Sequence, residues 1–231
     1  MEHVWRRLER RPTGLRGLDR LLGGGFHAAS LNTIYGEPTT GKTTLCLTFL
    51  LHHLASNPSA RAYYLDVDNK LNTQRLLELA GPRRMVLPRL NLYTPDSFQS
   101  QGQALESLPP LNPLDVVVVD SATGLYRGEV GEGEEVFRVN QELNWQLALL
   151  VEQVSTSGAT ALATGQVRTR PGLGVVEPVS PRLLRYWSAT LLRLERGAKP
   201  NTRYAFLEKP QPARKPIILT ISGSGLTEET P

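Results

Sequence analysis

The segment Gly36-Glu37-Pro38-Thr39-Thr40-Gly41-Lys42-Thr43 reads G-x-x-x-x-G-K-S/T. Few short motifs restrict a fold as tightly, because this one works only between a strand and a helix. The required setting is present: the apolar run Leu31 to Tyr35 precedes it, and a helical run from Thr44 to Leu54 follows. The glycines let backbone N–H groups turn inward around phosphate oxygens. The N-terminus of the following helix adds a partial positive charge at the same spot. Lys42 is expected to reach the β- and γ-phosphates of a nucleotide, and the Thr43 hydroxyl to ligate Mg²⁺.

The rest of the chain alternates apolar runs with helical patterns. Arg61 to Asp66 and Leu90 to Tyr93 predict short strands. Asn72 to Ala80 predicts a helix stopped by Gly81-Pro82, and Ser97 can cap another running to about Leu108. Asp115 to Asp120 contains four consecutive valines, the pattern of a central parallel strand buried on both faces. Val136, Val139, Leu143, Leu147, Leu150, Val151 and Val154 recur at three- and four-residue spacing and predict a long amphipathic helix. Ala159 to Thr164 predicts a further buried strand. Ser188 to Glu195, Arg203 to Lys209 and Ile217 to Ser222 read as successive strands. Alternating βα units followed by terminal strands predict an α/β fold, a mostly parallel sheet flanked by helices with antiparallel C-terminal strands.

Asp120 ends the valine strand. Ligands of open α/β sheets bind at the carboxyl ends of strands, so this carboxylate should face the phosphate loop and suits a role in holding magnesium. Hydrolysis also needs a group that orients or deprotonates water. Candidates are Asp66 and Asp68, past the neighbouring strand, and Gln166, past the Ala159–Thr164 strand. Gln166 also leads into a basic segment from Arg168 to Gly174.

The net charge of +4 is modest and unevenly spread. Between Arg168 and Lys215 eleven Lys or Arg stand against three acids, whereas from Asp120 to Glu152 seven acids stand against Arg127 and Arg138. Concentrated basic excess is an electrostatic footprint for phosphate-rich partners. The single cysteine, Cys46, lies on the apolar face of the helix after the loop, excluding an intramolecular disulfide or a cysteine metal cluster. His52 and His53 are expected to be solvated near the end of that helix. No apolar run approaches the roughly 20 residues of a membrane span, and Met1 to Arg11 has no apolar signal core. A cytoplasmic protein of one large domain is expected.

Several segments resemble the RecA-type recombinases, most closely their short archaeal-type RadB branch. They are Pro12 to Gly25 (PTGLRGLDRLLGGG), Ile34-Tyr35-Gly36 with the loop, Asp115 to Ser121, Gly165-Gln166-Val167, Leu184 to Ser188 and Leu207-Glu208-Lys209. They cover nearly the whole chain in the family's order. The resemblance implies an ATP-binding core over 1–231, with 1–11 as a tail and no N-terminal helix-hairpin-helix domain. It makes Gly36 to Thr44 the Walker A segment, adding Thr44 to the loop residues, with ATP and Mg²⁺ as cofactors and Asp120 as Walker B. It makes Thr123 to Glu135 a first DNA-facing loop and Arg168 to Pro178 a second, with Gln166 sensing nucleotide at the second loop's base. The expected DNA contacts are Arg127, Arg168 and Arg170. Lys209, Arg214 and Lys215 could cap nucleotide phosphates across a subunit boundary or form a solvated turn.

Asp68 stands where these recombinases usually carry a catalytic glutamate. With a carboxylate one methylene shorter, slow ATP hydrolysis is expected beside intact binding. The implied function is a DNA-binding accessory protein of homologous recombination and repair. It would be nucleoid-associated, act on single- or double-stranded DNA and assist a full-length recombinase. No F-x-x-A motif precedes the core, so a monomer or dimer is expected rather than a filament. The alternative is a nucleotide-gated regulatory module like the KaiC relatives, acting on protein partners without DNA.

Overall fold

Every apolar run expected as a strand joins one nine-stranded sheet in the computed structural model, which describes residues 9–129, 134–169 and 176–228. In chain order the elements are β1 (Arg10–Arg11), α1 (Arg16–Leu22), β2 (Phe26–His27), β3 (Ser30–Gly36), α2 (Lys42–Ser56) and β4 (Ala62–Asp66). Then come α3 (Thr73–Ala80), a 3₁₀ segment (Gly81–Arg89), β5 (Leu90–Tyr93), α4 (Phe98–Glu106), β6 (Val116–Asp120), α5 (Gly124–Glu129) and α6 (Glu134–Ser157). The remainder is β7 (Thr160–Gly165), β8 (Val167–Thr169), β9 (Val176–Pro178), α7 (Pro181–Trp187), β10 (Ser188–Arg196), β11 (Thr202–Lys209), β12 (Ile217–Ser222) and β13 (Gly225–Glu228).

The sheet order is β13-β12-β11-β10-β3-β7-β6-β4-β5. From β10 to β5 every neighbour is parallel, and β10 to β13 run antiparallel. The expected fold class, mostly parallel with antiparallel C-terminal strands, is the observed one.

The valine run shows why the sheet is central. Val116 and Val118 pack with the α2 side of the sheet, whereas Val117 and Val119 pack with the α4 and α6 side. Successive strand residues point to opposite faces, so a strand covered on both must be apolar throughout. Each fully buried valine contributes up to about 1.5–3 kcal/mol by area. On one side, α2 buries Leu45, Cys46, Leu47, Phe49, Leu50, Leu51 and Leu54. On the other, α6 presents Val139, Leu143, Leu147, Leu150 and Val154 at helical spacing.

Several local expectations change. The helix after the loop starts at Lys42, because Gly41, left-handed at φ 95°, is its N-cap. After α3 the chain continues as a 3₁₀ helix, from which the Arg89 guanidinium donates to the carbonyls of Asn57 (2.7 Å) and Ala60 (2.9 Å), tying down the exit from α2. His53 is buried, not solvated: its Nε2 lies 2.8 Å from the Leu114 carbonyl, a partner that sequence distance hides. Within the expected tail, Arg10–Arg11 pair with β2, and the buried Arg11 donates to the Pro113 carbonyl at 3.1 Å. Among the described residues no helix is long and apolar enough to cross a membrane.

Candidate nucleotide-binding site

Strand β3 delivers the loop to the carboxyl edge of the parallel sheet, between β7 and β10. Two left-handed residues, Thr39 (φ 65°) and Gly41 (φ 95°), shape the turn. Such turns aim successive N–H groups into a concave, anion-accepting surface. At Gly36 the requirement is steric: a Cβ there would lie 2.2 Å from the Leu194 carbonyl oxygen of β10. Thr40 is buried and donates from its hydroxyl to the Glu37 carbonyl at 2.9 Å. The Lys42 ammonium donates to the Gly36 and Glu37 carbonyls, each at 2.8 Å. Burial lowers the Lys42 pKa, an effect opposed by Asp120 and then Asp68 and reinforced by Lys70. Thr43 and Thr44 open α2.

Arginines from the antiparallel strands brace the loop's outer side. Arg196 donates to the Pro38 carbonyl (3.1 Å) and the Thr39 hydroxyl (2.7 Å), and Arg203 donates to the Thr39 carbonyl (3.2 Å). Beside the loop a cleft of about 400 Å³ runs from Thr39 and Gly41–Thr44 to Arg75, Arg203 and Ile221. Arg75 is itself held by the carbonyls of Gly223 (2.6 Å) and Ser222 (2.9 Å). These walls were not identified from the sequence, because they depend on β12 lying near α3.

Asp120 sits at the end of β6 inside a ring of hydroxyls. Its Oδ2 accepts from Thr43 and from Tyr64, both at 2.6 Å, and its Oδ1 accepts from Thr164. Tyr64 and Thr164 come from β4 and β7, the two strands flanking β6. Burial, then Asp120, push the Tyr64 phenol well up, so it stays a donor. The buried Cys46 thiol is likewise pushed well up by burial and stays an unreactive core group. The donor set fits Mg²⁺, which is bound through one or two carboxylates plus phosphates rather than by an all-protein cage. Accordingly, no group of three or more His, Cys, Asp or Glu that could hold a metal occurs among the described residues. Thr43 and Asp120 would hold the ion only together with a nucleotide.

The two candidate aspartates separate by role. Both Asp66 oxygens accept backbone N–H groups, from Lys70 (3.0 Å) and Leu71 (2.7 Å), so Asp66 builds the turn after β4 and is not a free base. Asp68 projects from that turn. Its Oδ2 pairs with the Lys70 ammonium (2.9 Å) and accepts, at a longer 3.4 Å, from the Gln166 amide. Its Oδ1 lies 3.4 Å from the Ser121 hydroxyl. The Arg127 guanidinium donates to the other end of the Gln166 amide at 2.8 Å. Asp68 and Gln166, both candidates from the sequence for orienting water, therefore form one hydrogen-bonded row with Arg127, an expected DNA contact.

Of the expected first DNA-facing loop, Thr123 to Glu135, the described residues are largely helical. Gly124–Glu129 is α5 and carries Arg127, α6 begins at Glu134, and residues 130–133 lie outside the described residues. The hydroxyl of Thr123 at its start accepts the Gln166 backbone N–H (3.1 Å), and its carbonyl accepts the Arg127 N–H (3.4 Å), a bond of the helical turn that opens there. The ends of the second segment pair as a hairpin, β8 with β9. Arg168 lies on β8, and Arg170 falls outside the described residues. Lys209 donates to the Arg185 carbonyl of its own chain at 2.9 Å, while Arg214 and Lys215 are exposed between β11 and β12.

Comparison with known proteins agrees with this geometry. The Rad51 family model matches residues 6–229. The chain is 29% identical over 200 residues to a DNA repair and recombination protein RadB of Methanococcus maripaludis, covering 86% of this chain and 90% of that one. It is 32% identical over 204 residues to the protein of the same description from Thermococcus kodakarensis, covering 85% and 88%. A crystal structure of the RadB recombinase superposes with a TM-score of 0.79 at 29% identity, covering 95% of this chain and all of that one. Sheet order, phosphate loop and whole-length match converge, and the chain belongs to the Rad51 family as a RadB-like member of the RecA-type recombinases.

Proposed function

We propose that this chain is an ATP- and DNA-binding accessory protein of homologous recombination and repair, built as one ATPase domain over residues 1–231, which hydrolyses ATP slowly. The observation that carries it is the row from Arg127 through Gln166 to Asp68, beside a phosphate loop whose Thr43 is bonded to Asp120. It joins a surface arginine to the candidate water-activating carboxylate. RecA-like proteins generally bind ATP with Mg²⁺, and the relatives named above are described as repair and recombination proteins.

In this reading the loop N–H groups and Lys42 bind the phosphates, Lys42 exchanging the Gly36 and Glu37 carbonyls for phosphate oxygens. Thr43 and Asp120 would hold Mg²⁺, which when bound would neutralise charge on the phosphate oxygens. Tyr64 and Thr164 keep the Asp120 carboxylate aimed without help from Thr43. Asp68 accepts a proton from water, and Gln166 fixes its position. The short aspartate limits that step, since a positioned base contributes typically ~10²–10⁴-fold.

DNA is met by Arg127 and by the basic segment holding Arg168 and Arg170. The acidic stretch from Glu129 to Glu135 repels the phosphodiester backbone and leaves the second segment to carry most of the affinity. A full-length recombinase is the protein partner, the location is the cytoplasm at the nucleoid, and the protein acts as a monomer or dimer.

The test is ATP hydrolysis with and without single-stranded DNA, together with DNA anisotropy across a salt series. Slow hydrolysis and salt-sensitive DNA binding, weakened by Arg168→Ala with Arg170→Ala, is the expected result. ATP binding without DNA binding at low salt would overturn it and favour the regulatory module acting on protein partners.

A further inference from the structure

Lys70 has no part in the loop or in the metal pair, yet its ammonium reaches the Asp68 carboxylate, which neighbours Ser121, the residue after Asp120 with its Thr43 bond. It pairs with Asp68 at 2.9 Å, and its charge, with that of Asp68, is felt at Lys42. Its backbone is fixed while its side chain, bonded only at its tip to Asp68, is largely exposed. The Asp66 carboxylate clamps the Lys70 and Leu71 N–H groups, and Asn69 completes the turn in the left-handed region at φ 49°. Beyond that anchored backbone the Lys70 side chain is 73% exposed.

We propose that Lys70 is a ligand of the γ-phosphate supplied from the same chain, whose ammonium moves between Asp68 and that phosphate and so makes the site prefer ATP over ADP. The inference rests on the nucleotide reading above.

Three physical points carry it. An exposed lysine–carboxylate pair contributes little, so little opposes the exchange. A terminal phosphate bears more charge than one carboxylate and offers three strong acceptor oxygens, so the ammonium gains by moving. A lysine is a compact point charge on a flexible stem, suited to exchanging partners within a few ångströms. The exchange also has a consequence for Asp68, whose Oδ2 gives up its closest partner when Lys70 leaves. The carboxylate becomes available to water only when a γ-phosphate is bound, which ties its availability to the nucleotide that can be hydrolysed.

The experiment compares binding of ATPγS–Mg²⁺ and ADP–Mg²⁺ to the full chain, by calorimetry or by displacement of a fluorescent nucleotide, in the wild type, Lys70→Ala and Lys70→Arg. Lys70→Ala is expected to weaken ATPγS binding about tenfold and to leave ADP binding within about twofold, with Lys70→Arg restoring most of the difference. Equal loss for both nucleotides would reduce Lys70 to general positive charge and overturn the proposal. Unchanged affinity for both would overturn it as well. Failure of the folded wild type to bind either nucleotide would instead remove the nucleotide reading itself. Thermal unfolding of each variant checks that the exposed substitution leaves the fold intact.

Discussion

In the proposed reading, lengthening the candidate base should speed ATP hydrolysis. In Asp68→Glu the carboxylate gains one methylene, about 1.5 Å of covalent reach. The direction of the gain is set by the surroundings. Gly124 is packed so closely that even a Cβ there would lie 2.3 Å from Asp68 Oδ1, so a longer side chain cannot fold back against α5. Ser121 and Gln166 bound it on two other sides at 3.4 Å. The Lys70 ammonium holds Oδ2 at 2.9 Å, and the Asp68 charge acts on Lys42 of the phosphate loop. A well-placed base contributes roughly 10²–10⁴-fold. A base that is short of its water by about one bond loses much of that, so recovering part of it predicts a rise in kcat of about ten- to a hundredfold. The assay is steady-state phosphate release at saturating ATP and Mg²⁺, beside nucleotide affinity measured separately. A kcat unchanged or lowered in Asp68→Glu, with ATP affinity intact, would refute the reasoning: reach would not be what limits hydrolysis.

Other perturbations follow from the same geometry. Tyr64→Phe removes one of three hydroxyls on buried Asp120 without opening a cavity. The loss of a hydrogen bond to a charged group, about 1.5–3 kcal/mol, should lower Tm by roughly 3–12 °C in a chain of this size; a shift under about 1 °C would argue against the hydroxyl ring. Gly36→Ala should abolish nucleotide binding and destabilise the fold, because the new methyl collides with backbone rather than with a side chain that can turn aside; a folded variant with normal affinity would contradict the close approach of loop and β10. His27 is held down to about 4, by burial first and Arg10 second, so it stays neutral when folded. The unfolded chain takes up that proton below about pH 6.5, so this contribution is complete above 6.5 and is lost as pH falls toward 4, by roughly 2–3 kcal/mol at pH 4.5. The urea midpoint of His27→Leu should therefore fall less than that of the wild type between pH 7 and 4.5, with His52 and His53, shifted the same way, retaining the remainder.

Legibility followed the kind of signal each part of the chain carries. Strands in the middle of the sheet were readable because two-sided burial forces continuous apolar runs such as Val116 to Val119. The loop was readable because its glycines answer to backbone requirements. Tyr64 and Thr164 were not, since a tyrosine and a threonine inside apolar strands look like core until the β4–β6–β7 order sets them around one carboxylate. Arg196 and Arg203 count in the sequence only as charge and turn out to have positions, given by strands that pair far from the loop in sequence, and Arg75 on α3 is fixed by carbonyls at the end of β12. Helix α7 escaped prediction because its seven residues are too short for periodicity to show, and β13 because four residues after a turn carry no alternation to read.

The place of β3 in the sheet has a consequence for how the protein is made. Its strand partners are β7 and β10, and the second of these comes last among the parallel strands. While the ribosome has released β7 but not yet residues 188–196, the strand that feeds the phosphate loop is an open edge with unpaired backbone groups, the kind of surface that recruits other chains. Nascent molecules stalled in that interval should be the aggregation-prone ones. Release of β10 does two things at once: it closes that edge and sets the Leu194 carbonyl against Gly36, so completion of the sheet and completion of the loop's outer wall are the same event in the life of the chain.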